Sequence, residues 1–337
     1  MKNLFFATAV VALACAGCAT EDDPVIPGLD SCPVDFSTSI AEITRSTPVA
    51  GTAFADGASV AVFGIEKKTG ALDAGNTAWM SNVQLTNNAG TWSYTGEKTF
   101  MKGYEYQFYA YAPFRATPLT LSAPTAVSYS VPTAIADQED FMYAVNSKNF
   151  STAGPAADEK VVLSFSHALS QVKFKAQTGK DYSSYYTVKI KSIKLAGLAT
   201  AGTLDFTKGV WNLGDSPATD DYVLPIDDKV LSASEALLIS GNDVLMLIPQ
   251  NPQKKTLELT LEVTAVADMG DTNVAAGLKT VTVAFPADDT AWVAGHAYTY
   301  AITLNLDSAL GWQVAGFSAP TISDWITNDP DRPITNK

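Results

Sequence analysis

The chain has 337 residues, a formal net charge of −13 and a pI near 4.5, with 47% hydrophobic and only 17% charged residues. Its acidity excludes nucleic acid as a partner, which needs basic patches. The apolar content excludes a disordered chain and is enough for two domains with their own cores.

The first residues read as an export signal. Lys2 precedes an apolar run over 4–13 that is too short to span a bilayer. Ala16 and Gly17 are the small residues wanted before a cut, so residues 1–18 resemble a lipoprotein signal peptide with Cys18 as the lipidation (palmitate) site. An ordinary secretory signal is the other reading. Glu21-Asp22-Asp23 either resembles a surface-export signal or simply opens a solvated linker. These features predict a surface-exposed protein of the cell outer membrane. Cys15 leaves with the signal, so only Cys32 remains unmodified and no disulfide framework exists. Cys32 is expected in a linker ahead of the first strand, without a role.

Val34, Phe36, Thr38 and Ile40 alternate with Asp35, Ser37, Ser39 and Ala41, which predicts a half-buried strand. It runs into the mostly polar stretch 43–48 with Arg45, one of only three arginines beside Arg115 and Arg332. A well-packing strand that ends in an exposed basic residue looks like a strand that can be cut off. Further strands are predicted at 59–65, 79–86, 92–94, 104–113 and 141–145, with a loop or edge region over 118–132. The small, polar segment 147–159 is the expected domain boundary. Beyond it, alternation recurs at 161–169, 171–175, 186–195, 281–285 and 298–304, most cleanly at 257–264; a short helix over 232–238 is allowed. Short alternating strands between turn signals predict an all-β fold of two tandem sandwiches.

Chemistry is scarce. His167 falls on the apolar face of a strand, where a satisfied core histidine is expected, and His296 follows a turn glycine and is expected exposed. Two histidines cannot make a histidine-rich metal site. The doublets Asp220-Asp221, Asp227-Asp228 and Asp288-Asp289 would point to opposite faces and decorate turns. Asp268, Asp271 and Asn273 miss the spacing of a calcium loop. No phosphate loop, nucleophile elbow or metal-binding cysteine pair occurs. Trp79, Trp92, Trp211, Trp292, Trp312 and Trp325 are expected in cores and rims, with a sugar-stacking platform as the other reading. No enzyme, cofactor or metal is expected.

Asp140-Phe141-Met142-Tyr143-Ala144 followed by the run from Leu163 to Phe174 resembles the junction region of the fimbrillin-like proteins, the subunits of type V pili. Phe54 to Val60, Leu247-Ile248-Pro249-Gln250 and Gly295 to Tyr300 are similar to that family's strand signatures. The resemblance implies two transthyretin-like β-sandwich domains and a lipid-tethered precursor. It also implies that an arginine-specific protease cuts between Arg45 and Ser46. Val34, Phe36 and Ile40 then lie on the removable strand, and a neighbour's strand refills the groove. Trp312, Val314, Ile322 and Ile326 are the candidate donor residues, or else complete their own domain.

The expected organisation is therefore a signal peptide (1–18), a pro-segment with the removable strand (19–45), an N-terminal sandwich (46–158) and a C-terminal sandwich with a donor tail (159–337). The expected function is a structural subunit or tip adhesin of a fimbria, partnered by other pilus subunits and a host or bacterial surface receptor. Some relatives stay uncut or anchored, and Arg45 alone does not separate stalk, tip and anchor. The rival reading is a monomeric surface glycan-binding lipoprotein.

Overall fold

The computed structural model describes residues 29–40, 53–69, 77–117, 119, 121–123, 125–215, 217–238, 244–266, 276–287, 289–307 and 310–325. In chain order the first strands are β1 (Ser31–Pro33), β2 (Asp35–Ile40), β3 (Ser59–Lys68), β4 (Thr77–Asn88), β5 (Thr91–Ser93) and β6 (Thr99–Met101). There follow β7 (Tyr104–Ala112), β8 (Leu121–Ala123), β9 (Ala126–Ser130), β10 (Met142–Asn149) and β11 (Lys160–His167). The second half holds β12 (Ser170–Thr178), β13 (Tyr186–Ala199), β14 (Ala201–Asp205), β15 (Val210–Asn212), β16 (Thr219–Val230) and β17 (Ala236–Leu237). It ends with β18 (Leu245–Leu247), β19 (Thr256–Ala265), β20 (Gly277–Ala284), β21 (His296–Asp307), β22 (Gly311–Phe317) and β23 (Thr321–Asp324). One 3-10 turn, Ile135–Asp137, is the only helical element among the described residues. The fold is all-β. The helix allowed over 232–238 does not form, and β17 occupies part of that stretch.

Seven strands make the first sheet, in the order β2-β11-β10-β7-β3-β4-β5. Its middle is buried on both faces: Val60, Val62, Phe108 and Ala110 enter one core, while Ala61, Phe63, Tyr109 and Tyr111 enter another. That two-sided burial explains why β3 and β7 read as near-continuous apolar runs. The two-stranded pair β1-β6 seals the first core with Cys32 and Phe100. Cys32 thus sits in a strand with 3% exposure, not in a linker. Burial pushes its thiol pKa up, with Glu159 and Asp35 adding to the rise, so it is an inert core residue.

In the second half, β16-β13-β19-β20 faces a sheet that runs β17-β12-β21-β22, with β18 on β12 and β23 on β21. Leu257, Leu259, Leu261 and Val263 of β19 bury one side, as their alternation requires. Glu258 reaches Lys194 of β13 at 3.2 Å on the other side.

The halves do not separate at 158/159. Residues 147–149 belong to β10, and β11 pairs with β10 and β2, so the chain leaves the first sheet only after His167. A fourth sheet, β15-β14-β9-β8, joins strands from both halves, with Ser128 opposite Thr203 and Ala201 opposite Ser130. Leu121–Ala123 and Ala126–Ser130, within the expected loop or edge region, are therefore strands of this sheet, and Val127 and Tyr129 are core residues. Gly209 (φ +64) turns β14 into β15 directly beneath Tyr143 of the first sheet, whose hydroxyl oxygen lies 1.9 Å from where a Cβ would stand. Only glycine allows that approach.

Candidate functional site

Strand β2 lies at the edge of the first sheet and runs parallel to β11, from Asp35 opposite Lys160 to Ile40 opposite Phe165. Every other pairing described in that sheet is antiparallel. Parallel pairs are slightly weaker per residue, and within the sheet β2 has a neighbour on one side only. Its inward side chains, Phe36 and Ile40, and Val34 just before it are 5%, 0% and 2% exposed. Asp35 faces solvent, while Ser37 and Ser39 are half-buried.

The groove that receives them is aromatic. Phe36 meets Tyr94 and Phe108 edge-on, with ring centroids 5.6 and 5.8 Å away. Val161, Leu163 and Phe165 of β11 form one wall, and Phe54 packs edge-on against Phe165 and Trp92. Burying one Val, one Phe and one Ile stabilises by about 1.5–3 kcal/mol each. The far wall comes from the other end of the same sheet. The Tyr94 hydroxyl, just past β5, donates to the Val34 carbonyl at 3.0 Å, and Val34 N–H donates to the Lys98 carbonyl at 2.9 Å. The sheet thus curls until its ends meet across β2. Nothing local in the residues around Tyr94 marks this role, because it depends on closure of seven strands.

Strands β22 and β23 lie end to end along β21. Trp312 is buried against Tyr182 at 4.9 Å and Val314 packs at the core margin, so both complete their own sandwich here. Ile322 is 38% exposed on the more superficial β23. Cys18, Arg45, Ser46 and Ile326 lie outside the described residues, as do Asp268, Asp271 and Asn273 of the excluded calcium loop.

His167 is a core residue: its Nδ1 is 2.9 Å from Asp140 Oδ1, and its ring stacks on Trp325 at 4.3 Å. His296 is half-buried rather than exposed, with Nδ1 3.0 Å from the Ala294 carbonyl. All six tryptophans are buried or half-buried, and none offers an exposed platform. Asp289 is not a turn decoration, since it is 2% exposed and accepts the Tyr300 hydroxyl at 2.6 Å. No group of three or more potential metal-ligating residues occurs among the described residues.

The described residues thus form an all-β chain with a parallel edge strand seated over an aromatic groove. The profile of the fimbrillin-like family matches residues 44–325, and the chain belongs to that family. Among solved structures, a fimbrial protein from Bacteroides vulgatus is 17% identical with a TM-score of 0.56, covering 86% of this chain and 99% of that one. A candidate cell adhesion protein from Bacteroides ovatus is 21% identical with a TM-score of 0.53, covering 88% and 99%. Both likenesses concern the fold. No functionally curated protein matches the sequence.

Proposed function

We propose that this chain is a structural, non-enzymatic subunit or tip adhesin of a cell-surface type V pilus. It is exported as a lipoprotein precursor acylated at Cys18, cut between Arg45 and Ser46 by an arginine-specific protease, and assembled by strand exchange. The observation that carries this reading is β2 itself: an edge strand, parallel to β11, whose large apolar side chains fill a groove and whose end at Ile40 precedes Arg45. Cutting after Arg45 removes the covalent tie but not the packing of Val34, Phe36 and Ile40. The cut strand therefore stays until a strand of comparable apolar content displaces it. The C-terminal residues Trp312, Val314, Ile322 and Ile326 supply such a strand, with β23 peeling first because it is the less buried. The two halves of the chain travel together, since β9 of the first pairs with β14 of the second.

The test is limited digestion of unlipidated protein with an arginine-specific protease, read by intact mass and by denaturing gel. One cut after Arg45 followed by SDS-resistant ladders is expected, and Arg45→Ala should remain uncut and monomeric. Ladders formed equally by uncut Arg45→Ala protein would overturn the processing step, and clean cutting without ladders would exclude the self-polymerising stalk role. The rival reading, a glycan-binding monomer that uses exposed tryptophans, has no exposed tryptophan to use.

A further inference from the structure

We propose, resting on the cut after Arg45 given above, that Glu139 shields a second arginyl bond, between Arg115 and Ala116, so that an arginine-specific protease cuts this chain only once. The chain has three arginines, Arg45, Arg115 and Arg332. Arg332 precedes Pro333, whose ring fixes the backbone and removes the N–H, so that bond is a poor substrate. Arg115 has no proline after it. It lies just past β7, and the two residues that follow it, Ala116 and Thr117, are both exposed. Exposed small and polar loop residues are where native proteins are nicked. A cut here would sever β7 from β8 and β9, in the middle of the folded body.

The shield is the pose of the side chain. An arginine-specific protease takes the guanidinium onto a carboxylate in its specificity pocket. In this fold the guanidinium already has a carboxylate. One Nη of Arg115 donates to Glu139 Oε2 at 2.5 Å and to the Tyr129 hydroxyl at 3.3 Å, and the group lies 5.1 Å from the Tyr129 ring centre. Tyr129 is itself fixed, being buried and stacked on Phe141 with ring centroids 4.1 Å apart. The Arg115 side chain is 33% exposed, so solvent reaches it, yet moving it into a pocket breaks the ion pair and leaves Glu139 without its cation. The scissile backbone is pinned as well. The Arg115 carbonyl accepts Asn82 Nδ2 at 3.1 Å, and Asn82 Oδ1 accepts the hydroxyl of buried Tyr111 at 2.7 Å. That carbonyl is the group a protease must bring into its own oxyanion hole. Cleavage after Arg115 therefore requires side chain and carbonyl to leave their partners together, and Glu139 holds the side chain.

The test digests the unlipidated full chain carrying Arg45→Ala, with and without Glu139→Gln, using an arginine-specific protease under native conditions and intact mass as the readout. With Arg45 replaced, the bond after Arg115 is read alone, and failure of the cut after Arg45 does not enter the result. Glu139→Gln keeps the size of the side chain and removes its charge. The chain that retains Glu139 should stay intact, and Glu139→Gln should speed the cut between Arg115 and Ala116 by about tenfold or more. Adding Arg115→Lys should abolish that cut. A lysine-specific protease run in parallel should give one pattern for both chains, which separates release of one side chain from loosening of the fold. Ready cutting after Arg115 while Glu139 is in place, equal rates with and without it, or new lysine cuts accompanying the arginine cut would each overturn the proposal.

Discussion

Tyr94 and Val34, from opposite ends of the seven-stranded sheet, are locked together. The Tyr94 hydroxyl donates to the Val34 carbonyl at 3.0 Å and accepts the Lys98 N–H at 3.2 Å, while Val34 N–H reaches the Lys98 carbonyl. This lock, together with the edge-on contact between Tyr94 and Phe36, is the seam where the curled sheet closes over its core.

Tyr94→Phe keeps the ring and deletes the hydroxyl. A net hydrogen bond contributes about 1 kcal/mol, equivalent to roughly a fivefold change in an equilibrium constant. The variant should fold, lose about that much stability in urea, and form SDS-resistant ladders several-fold faster after cutting at Arg45. Equal ladder rates for the variant and the parent chain would show that the Tyr94 end of β2 does not limit exchange.

Gly209→Ala places a methyl group into the Tyr143 hydroxyl at a positive φ. Overpacking of this kind costs about 1–3 kcal/mol. Denaturant titration should show that loss, and Tyr143→Ala in the same chain should recover part of it, giving a coupling energy between the halves. Additive losses would mean that the two residues do not oppose one another.

Several tyrosines tie stability to alkaline pH. Burial holds Tyr106 and Tyr129 up at about 12, and it also raises Tyr222 and Tyr300. Unfolded tyrosine titrates near 10. The folded state therefore binds these protons more tightly, and their contribution is fully present below about pH 10 and lost as pH rises through about 12. Stability from these groups should be flat from pH 7 to 9 and fall steeply above about 10, followed by circular dichroism alongside tyrosinate absorbance. A decline already under way at pH 8 would point to other groups.

Local pattern made much of this legible. Leu257, Leu259, Leu261 and Val263 announce β19, and Val34, Phe36 and Ile40 announce the buried face of β2 with no structural help. What stayed hidden depends on partners distant in sequence. Ser128 and Ser130 sit among prolines and small residues, so only their pairing with Ala201 and Thr203 makes β9 a strand. Val161, Leu163 and Phe165 alternate plainly, yet alternation does not say which sheet β11 joins. Cys32 reads as linker for a similar reason: its neighbours in the chain are linker-like, and Phe100 across the ladder is what pairs with it.

The shared sheet of β9 and β14 also bears on how the molecule would carry force. Strands from both halves hydrogen-bond side by side, and Tyr143 seats over Gly209 at the same seam, so no free hinge lies between the halves among the described residues. Tension applied across the protein loads the β9–β14 ladder and the packed core together, not a slack connector. A fibre built from such units would flex at the joints between successive molecules and stay stiff within each one.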